Sequence, residues 1–577
     1  MRDQTQLFDR LVQLRNEGRI DRRQFMKLTS GTVGIAAVSA FIASCGAEPE
    51  PSGGGASATA TPADSGGTDA AATATTGGDA GAGTTPAASE GEPVAGGRLI
   101  SALDTNPVGL DPHTGASFAG QMVWENVYDT LFQFSPTLEV LPSVALSFEI
   151  IDDQTYQFNL RDDVVWQNGR QFTAEDVKYS IERAADASIG SLRASWFTPL
   201  EEIEVVDDTT CIFHLSEPFA PLVSYLAMPG SALVPREVVE EHGDLQNVAV
   251  GTGPFSLETF RNNEFALLKK FEDHWRTDLP YLDEHEIRIS SDEQSRLAAI
   301  RAGEHEFSRM FDPQNAWTLE EEGYKIFSGL TASRPLTVIN CRRAPLDDKR
   351  VRQALSYAIN RQEMMDATIF GDGVLTGFIP VADEVWALPA TEFESYTQDI
   401  DRARELLAEA GHENGFDLVM KVSPQYAFDL SNAQILQSQL APLGINVEIE
   451  QVEWGNLLEL YRTSYDFDLL NIILTHQPDP DGYLYGSFHS ESTTNSPGIS
   501  DPELDEMLDL GRRTADFDER KQIYDDLQRL LMDDLVPMLV TFNYNQYWPA
   551  QQYVNGYQVV PSISRIYLRE VWKDEQE

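Results

Sequence analysis

From Gly46 to Gly97 the chain has one Val (Val94) and no aromatic residue, Leu, Ile, Lys or Arg. Such a stretch cannot bury enough apolar surface to offset the entropy of ordering it. Residues 46–96 therefore read as a flexible tether with a root-mean-square reach on the order of 40 Å. The folded body must come from residues 97–577. At about 150 residues per domain, the full length suggests roughly three or four domains. Lys and Arg number 42 against 92 Asp and Glu, a formal net charge of −50. A polyanion would be repelled, which excludes nucleic acid as a partner. The acidity names no ligand and reads as a solvated surface. No run of 18 apolar residues occurs, so a polytopic membrane protein is excluded.

The segment before the tether reads as an export signal. Arg22 and Arg23 precede Phe25-Met26-Lys27 and a short apolar run over residues 31–43. The run is too short to span a bilayer as a stable helix. The paired arginines resemble a twin-arginine signal, with Asp21 where Ser or Thr is usual. Ile42-Ala43-Ser44-Cys45 resembles a bacterial lipobox, so Cys45 is the expected site of lipidation. Two or three acyl chains hold a protein stably on a bilayer. Residues 1–45 are thus signal plus lipobox, and the body is expected on the outer face of the cytoplasmic membrane, in a periplasm or at the cell surface.

In the body, strand and helix patterns alternate. Strand-like runs cover 98–103, 155–160, 209–215, 265–270, 286–289, 418–422, 446–452 and 467–473. Helical patterns cover 173–183, 348–360, 399–410, 433–440, 502–511 and 518–532, the first opened by a capping-box-like Thr173. The mixture predicts an α/β (mixed α+β) multidomain protein. Catalytic signatures fail: Gly115-Ala116-Ser117-Phe118-Ala119 lacks the last glycine of a nucleophile elbow, and no His-Glu-x-x-His, Walker or dinucleotide motif occurs. No catalytic residue, metal or cofactor is expected. His242, His274, His285, His305 and His412 lie among polar neighbours and read as surface residues. Cys211 and Cys341 sit in apolar runs and read as free buried thiols.

Several stretches, in order, carry a family resemblance. They include Leu110-Asp111-Pro112-His113, Val127-Tyr128-Asp129-Thr130-Leu131, Leu160-Arg161-Asp162-Asp163-Val164-Val165-Trp166 and Phe172-Thr173-Ala174-Glu175-Asp176-Val177. Gly251-Thr252-Gly253-Pro254-Phe255, Val351-Arg352-Gln353-Ala354-Leu355, Phe488-His489-Ser490 and Asp501-Pro502-Glu503-Leu504-Asp505 follow. The set resembles the family 5 extracellular solute-binding proteins of ABC transporters, the dipeptide, oligopeptide and nickel-binding group. The resemblance implies a two-lobed periplasmic-binding-protein-like fold with a hinge and an extra inserted domain. Lobe 1 would take residues 97–140, 250–340 and 544–577, the inserted domain 141–249, and lobe 2 residues 341–543. Ligand would bridge the lobes and shift the population toward closure.

The resemblance also implies site residues. Ser117, Phe118 and Gln121 match a first-lobe segment that lines the cleft in relatives. Trp196 falls where nickel-complex binders place a cleft tryptophan. In peptide binders an aspartate three residues before an acidic-Pro pair holds the ligand's α-ammonium. Here the pair is Asp479-Pro480 and the matching residue is His476. A histidine cannot replace that charge, so Asp479 or Asp481 is the expected substitute, unless both acids merely build the Pro-containing turn. Trp454 reads as structural, and Arg342 and Arg343 as partners of acids at the lobe boundary. The implied solute is a short peptide, with oligosaccharides or a nickel chelate as alternatives. The implied partners are an ABC permease and its ATPase, with the receptor a monomer. A secreted hydrolase or a sensory binding protein is the reading from another class.

Overall fold

The computed structural model describes residues 91–115, 117–475, 477–561 and 568–574. Arg22, Arg23, Cys45 and His476 lie outside these residues, as does the tether up to residue 90. Gly96, assigned to the end of the tether, is already docked: its N–H donates to the Tyr281 carbonyl at 2.7 Å.

Two large sheets dominate. The first has eight strands, and Arg98–Leu103 lies inside it, parallel to both Glu284–Ile289 and Phe307–Ser308. Its flanks are built by Phe255–Arg261 and Phe265–Lys270 on one side and Phe542–Ala550 and Lys325–Leu330 on the other. Leu99, Leu103, Phe255, Leu268, Ile287 and Trp548 share one core on this sheet. The second sheet has five strands in the order Asn446–Gln451, Asp417–Val422, Leu469–Thr475, Ser333–Ile339, Met538–Val540. Alternation sends its side chains to two cores. Ile339, Met420, Val422 and Leu469 face one, and Leu336, Val338, Leu470 and Ile472 face the other.

The eighth strand of the first sheet, Gly373–Leu375, pairs with Phe542–Ala550 and lies in sequence between two strands of the second sheet. Two of the passages between the sheets take only one or two residues. Thr331 and Ala332 join Lys325–Leu330 to Ser333–Ile339, and Thr541 joins Met538–Val540 to Phe542–Ala550. The crossings are bonded side by side. The Thr331 N–H donates to the Tyr544 carbonyl at 3.0 Å, and Asn543 Nδ2 donates to the Ser333 carbonyl at 3.1 Å. A four-stranded sheet, Ala145–Asp152, Thr155–Leu160, Thr210–Leu215 and Leu200–Asp207, forms a separate unit with its own core around Phe158, Trp166, Ile181 and Phe213.

Local signals account for most boundaries. Helix Ala174–Ala185 starts with the reciprocal Thr173–Asp176 capping box. Helix Lys349–Ala358 is capped by Asp348 and buries Val351, Ala354, Leu355 and Ala358. Gly251 and Gly253 run against the backbone of Val127, where an added Cβ would lie 2.0 Å and 2.7 Å from its atoms, so only glycine fits. One helix departs from expectation. Ala427–Leu440 begins six residues before 433, because its first turns carry Phe428, Asp429 and Ser431 on a partly polar face that apolar periodicity does not reveal.

The histidine reading needs correction. His274, His285 and His305 are buried, whereas His242 is exposed and His412 half-buried. His285 lies in strand Glu284–Ile289, its Nε2 2.7 Å from Ser101 Oγ, and burial drives its pKa down to about 3. Its acidic neighbours Glu284 and Glu286 made the run look exposed. Cys211 and Cys341 are both free. Cys211 is buried and Cys341 half-buried, and desolvation pushes their thiols up to about 12 and about 11.

Candidate functional site

A cavity of about 510 Å³ lies between the two large sheets, within the range typical of small-ligand sites. The first-sheet side supplies Asp104, Glu293, Arg296 and Phe311; the second supplies Phe370, Tyr426, Phe428 and Ser431. Tyr544 and Asn545, on a crossing strand, close the back. Asp104 directly follows a parallel strand, and helix Glu293–Arg301 follows another, so the cavity sits beyond the carboxyl ends of strands. Phe311 and Tyr426 meet across it with ring centroids 5.8 Å apart. Trp454 packs edge-on against Tyr426 at 5.6 Å and supports that wall. Arg296 is fixed as a structural donor to the carbonyls of Ser290, Ser291 and Arg309 at 2.7–3.1 Å.

A second cluster joins the four-stranded unit to the second sheet. Asp481 opens helix Asp481–Phe488, and its carboxylate accepts from Arg512 Nε and Nη2, each at 3.0 Å. It also accepts from the Tyr225 hydroxyl at 2.7 Å. Tyr225 stacks on Trp196, centroids 5.4 Å apart and planes within 7°. Arg193 covers the other part of Trp196 at 5.1 Å and donates through Nη2 to the Gly115 carbonyl at 2.8 Å. A continuous chain of contacts therefore runs from Gly115 through Arg193, Trp196 and Tyr225 to Asp481. Asp479 is buried beside it, bound in fork geometry by Arg520 at 2.7 Å and 2.8 Å. Burial alone would raise the Asp479 pKa, but the Arg520 charge and hydrogen bonds outweigh it and hold the carboxyl below its usual value.

The sequence-derived residues thus have these places. Ser117 caps helix Phe118–Trp124, its Oγ accepting from the Gly120 N–H at 3.2 Å. Phe118 is the first residue of that helix, and Gln121 is half-buried on it. Trp196 is buried to 9 % exposure by its stacking partners. Asp479 and Asp481 already carry one guanidinium each. Arg343 pairs Asp466 and Asp468 at 2.6 Å and 3.1 Å, and Arg342 donates to the carbonyls of Asn495 and Ser496.

Three buried polar residues escaped the reading of the sequence. Arg334 is 0 % exposed, and none of its three guanidinium nitrogens has a hydrogen-bond partner among the described residues. Its charge lies 4.7 Å from the Tyr483 ring centroid. Asp429 is buried, with Oδ1 accepting from Asn471 Nδ2 at 2.6 Å and Oδ2 unpartnered. Burial pushes its pKa up to about 8. Asn432, one turn on, has neither side-chain polar atom bonded. The available signal for Arg334 was a lone cation opening an apolar strand, Ser333–Ile339.

The described helices include none long and apolar enough to cross a membrane. Among known proteins, the family described as "Bacterial extracellular solute-binding proteins, family 5 Middle" matches residues 139–495. The glutathione-binding protein GsiB of Escherichia coli (strain K12) is 27% identical over 457 residues, 77% of this chain and 88% of GsiB. The periplasmic binding protein DppA from Helicobacter pylori, solved with the peptide STSA, is 25% identical, with a TM-score of 0.71 over 84% of this chain and 99% of that one. The ABC transporter substrate-binding protein CtaP from Listeria monocytogenes shares the fold, with a TM-score of 0.74 at 24% identity over 83% of this chain and all of that one. Two lobes, paired hinge crossings and an interlobe cavity accord with this match, which spans more than half of the sequence. The chain belongs to the family 5 bacterial extracellular solute-binding proteins, non-enzymatic substrate-binding components of ABC transporters.

Proposed function

We propose that this protein is the lipid-anchored receptor of an ABC importer for short peptides. The observation that carries the reading is the cavity of about 510 Å³ between two sheets linked by two short crossings bonded side by side. Contacts to both sides exist only when the lobes are together, so a bound solute favours closure. GsiB binds glutathione and DppA was solved with STSA, which supports a peptide-like solute. The proposed first lobe is residues 97–140, 250–340 and 544–577, the inserted domain 141–249 and the second lobe 341–543; sheet membership argues for moving the first boundary to 331–332, since Ser333–Ile339 lies in the second sheet. Ser117, Phe118, Gln121, Trp196, His476, Asp479 and Asp481 are the proposed cleft residues; of these, Ser117, Gln121, Trp196, Asp479 and Asp481 lie outside the lining of the 510 Å³ cavity. The receptor acts as a monomer and delivers its solute to the permease, whose ATPase supplies the energy.

Thermal unfolding of residues 97–577 against separate pools of short peptides, oligosaccharides and nickel chelates tests the solute. A ligand at 100 times its Kd adds about 2.7 kcal/mol to the folded state. A shift with peptides is expected; a shift only with sugars or chelates overturns the peptide assignment. The anchor is tested by Cys45→Ser, which should release the protein from the membrane fraction and abolish palmitate labelling. Retention of the variant in membranes would show that lipid on Cys45 is not the anchor.

Closure has its own test. The Tyr225 hydroxyl spans the inserted unit and the second lobe, so Tyr225→Phe removes a charge-assisted bond of about 1.5–3 kcal/mol. Solute affinity should fall about ten- to hundredfold. Calorimetry showing unchanged affinity would mean that the bond is not part of the closed state.

A further inference from the structure

We infer that Arg334, at the second-sheet end of a hinge crossing and outside the lining of the 510 Å³ cavity, is an anion anchor for a carboxylate of the solute. The inference rests on the peptide-receptor reading of the cleft and specifies its chemistry. A guanidinium at 0 % exposure with three unpartnered nitrogens is among the costliest groups a protein interior can hold. No acid compensates it among the described residues. Its charged surroundings are tyrosines: Tyr483 below the guanidinium, with Tyr461 and Tyr396 nearby. Two of their hydroxyls are engaged elsewhere, Tyr396 on the Thr541 carbonyl at 2.8 Å and Tyr483 on Met538 Sδ at 3.6 Å.

Position points the same way. Arg334 stands at the hinge end of its strand, opposite Leu474, and the neighbouring pair Ser333–Thr475 ends the ladder just before residues 476–481. Gln477 Oε1, two residues past that end, is a buried acceptor without a donor. Near this end of the ladder the chain thus carries an unbonded buried cation, which suits a carboxylate, and an unbonded buried acceptor, which suits an N–H. The two acids of the 476–481 segment, Asp479 and Asp481, are already neutralised by Arg520 and Arg512. The uncompensated local charge is therefore positive, in a chain whose net charge is −50. The planar fork of arginine fits a carboxylate with two parallel bonds, and the aromatic wall keeps the pair dry.

The test uses the mature chain with trialanine, trialanine amide and sodium formate as probes. Wild type should bind trialanine about ten- to hundredfold more tightly than its amide. Arg334→Met should reduce that ratio to below threefold and raise the ligand-free melting temperature, since it removes an unpaired buried charge. Formate should stabilise wild type over chloride at equal ionic strength, but not Arg334→Met. If the methionine variant does not fold, Arg334→Lys keeps the charge without the fork, and its ratio should fall between. A preference for free trialanine that survives both substitutions overturns the anchor, as does a wild type indifferent to formate. If trialanine does not bind yet formate stabilises through Arg334, the anion site stands and the peptide reading fails. If trialanine and its amide bind equally, the peptide reading stands and the anchor fails.

Discussion

Asp479→Asn should destabilise the folded chain by about 3–5 kcal/mol, because it strands the Arg520 guanidinium in the interior. The side chains of the pair are 4 % and 6 % exposed, and the two hydrogen bonds are 2.7 Å and 2.8 Å long. Arg520 cannot turn to water: its Nε donates to the Gly511 carbonyl at 2.7 Å, and its plane lies over Trp386 and Tyr524. Urea unfolding of Asp479→Asn should show a lower midpoint. The double variant Asp479→Leu/Arg520→Met should recover most of the loss, since it removes both ions together. A loss below 1 kcal/mol in the single variant would sink the structural assignment. An ammonium anchor behaves differently: its loss lowers solute affinity and leaves unliganded stability nearly unchanged.

Asp429→Asn should act in the opposite direction. The folded state holds the Asp429 proton up to about pH 8, whereas an unfolded aspartate releases it near pH 4. The folded pKa is raised, so the associated stability is full below about pH 4 and is lost progressively as pH rises toward 8. At pH 7 the ionised unfolded state is favoured on the order of 4 kcal/mol relative to a neutral side chain at this position. Asparagine imitates the protonated acid and keeps an acceptor for Asn471. The variant should therefore be more stable at pH 7 and equal to wild type near pH 4. Buried neutral histidines such as His113 and His285 destabilise the fold on acidification, so the difference profile is the relevant measurement. A difference that does not change between pH 4 and 8 would refute the buried neutral carboxyl.

The legibility of the chain divides by distance. Helices at 173–183 and 399–410 were readable because caps, terminal acids and apolar spacing lie within a few residues of one another. The observed helices, Ala174–Ala185 and Ile400–Glu409, differ from those ranges by at most two residues. The segment 476–481 illustrates the other case. Its order in the family pattern marked it as a place of interest, yet the states of its acids depend on Arg512 and Arg520, 31 and 41 residues away, and on Tyr225, 256 residues away. Trp196 looked the same in sequence whether it faced a solute or stacked on Tyr225.

By itself the sequence determined the local strands and helices of the body, the absence of recognised catalytic motifs and the family. These follow from short-range periodicity and from an ordered set of motifs. Only the tertiary structure decided which charges are matched. Asp479 and Asp481 are paired, and Arg334 and Asp429 are not, because desolvation and Coulomb attraction depend on neighbours brought together by the whole fold.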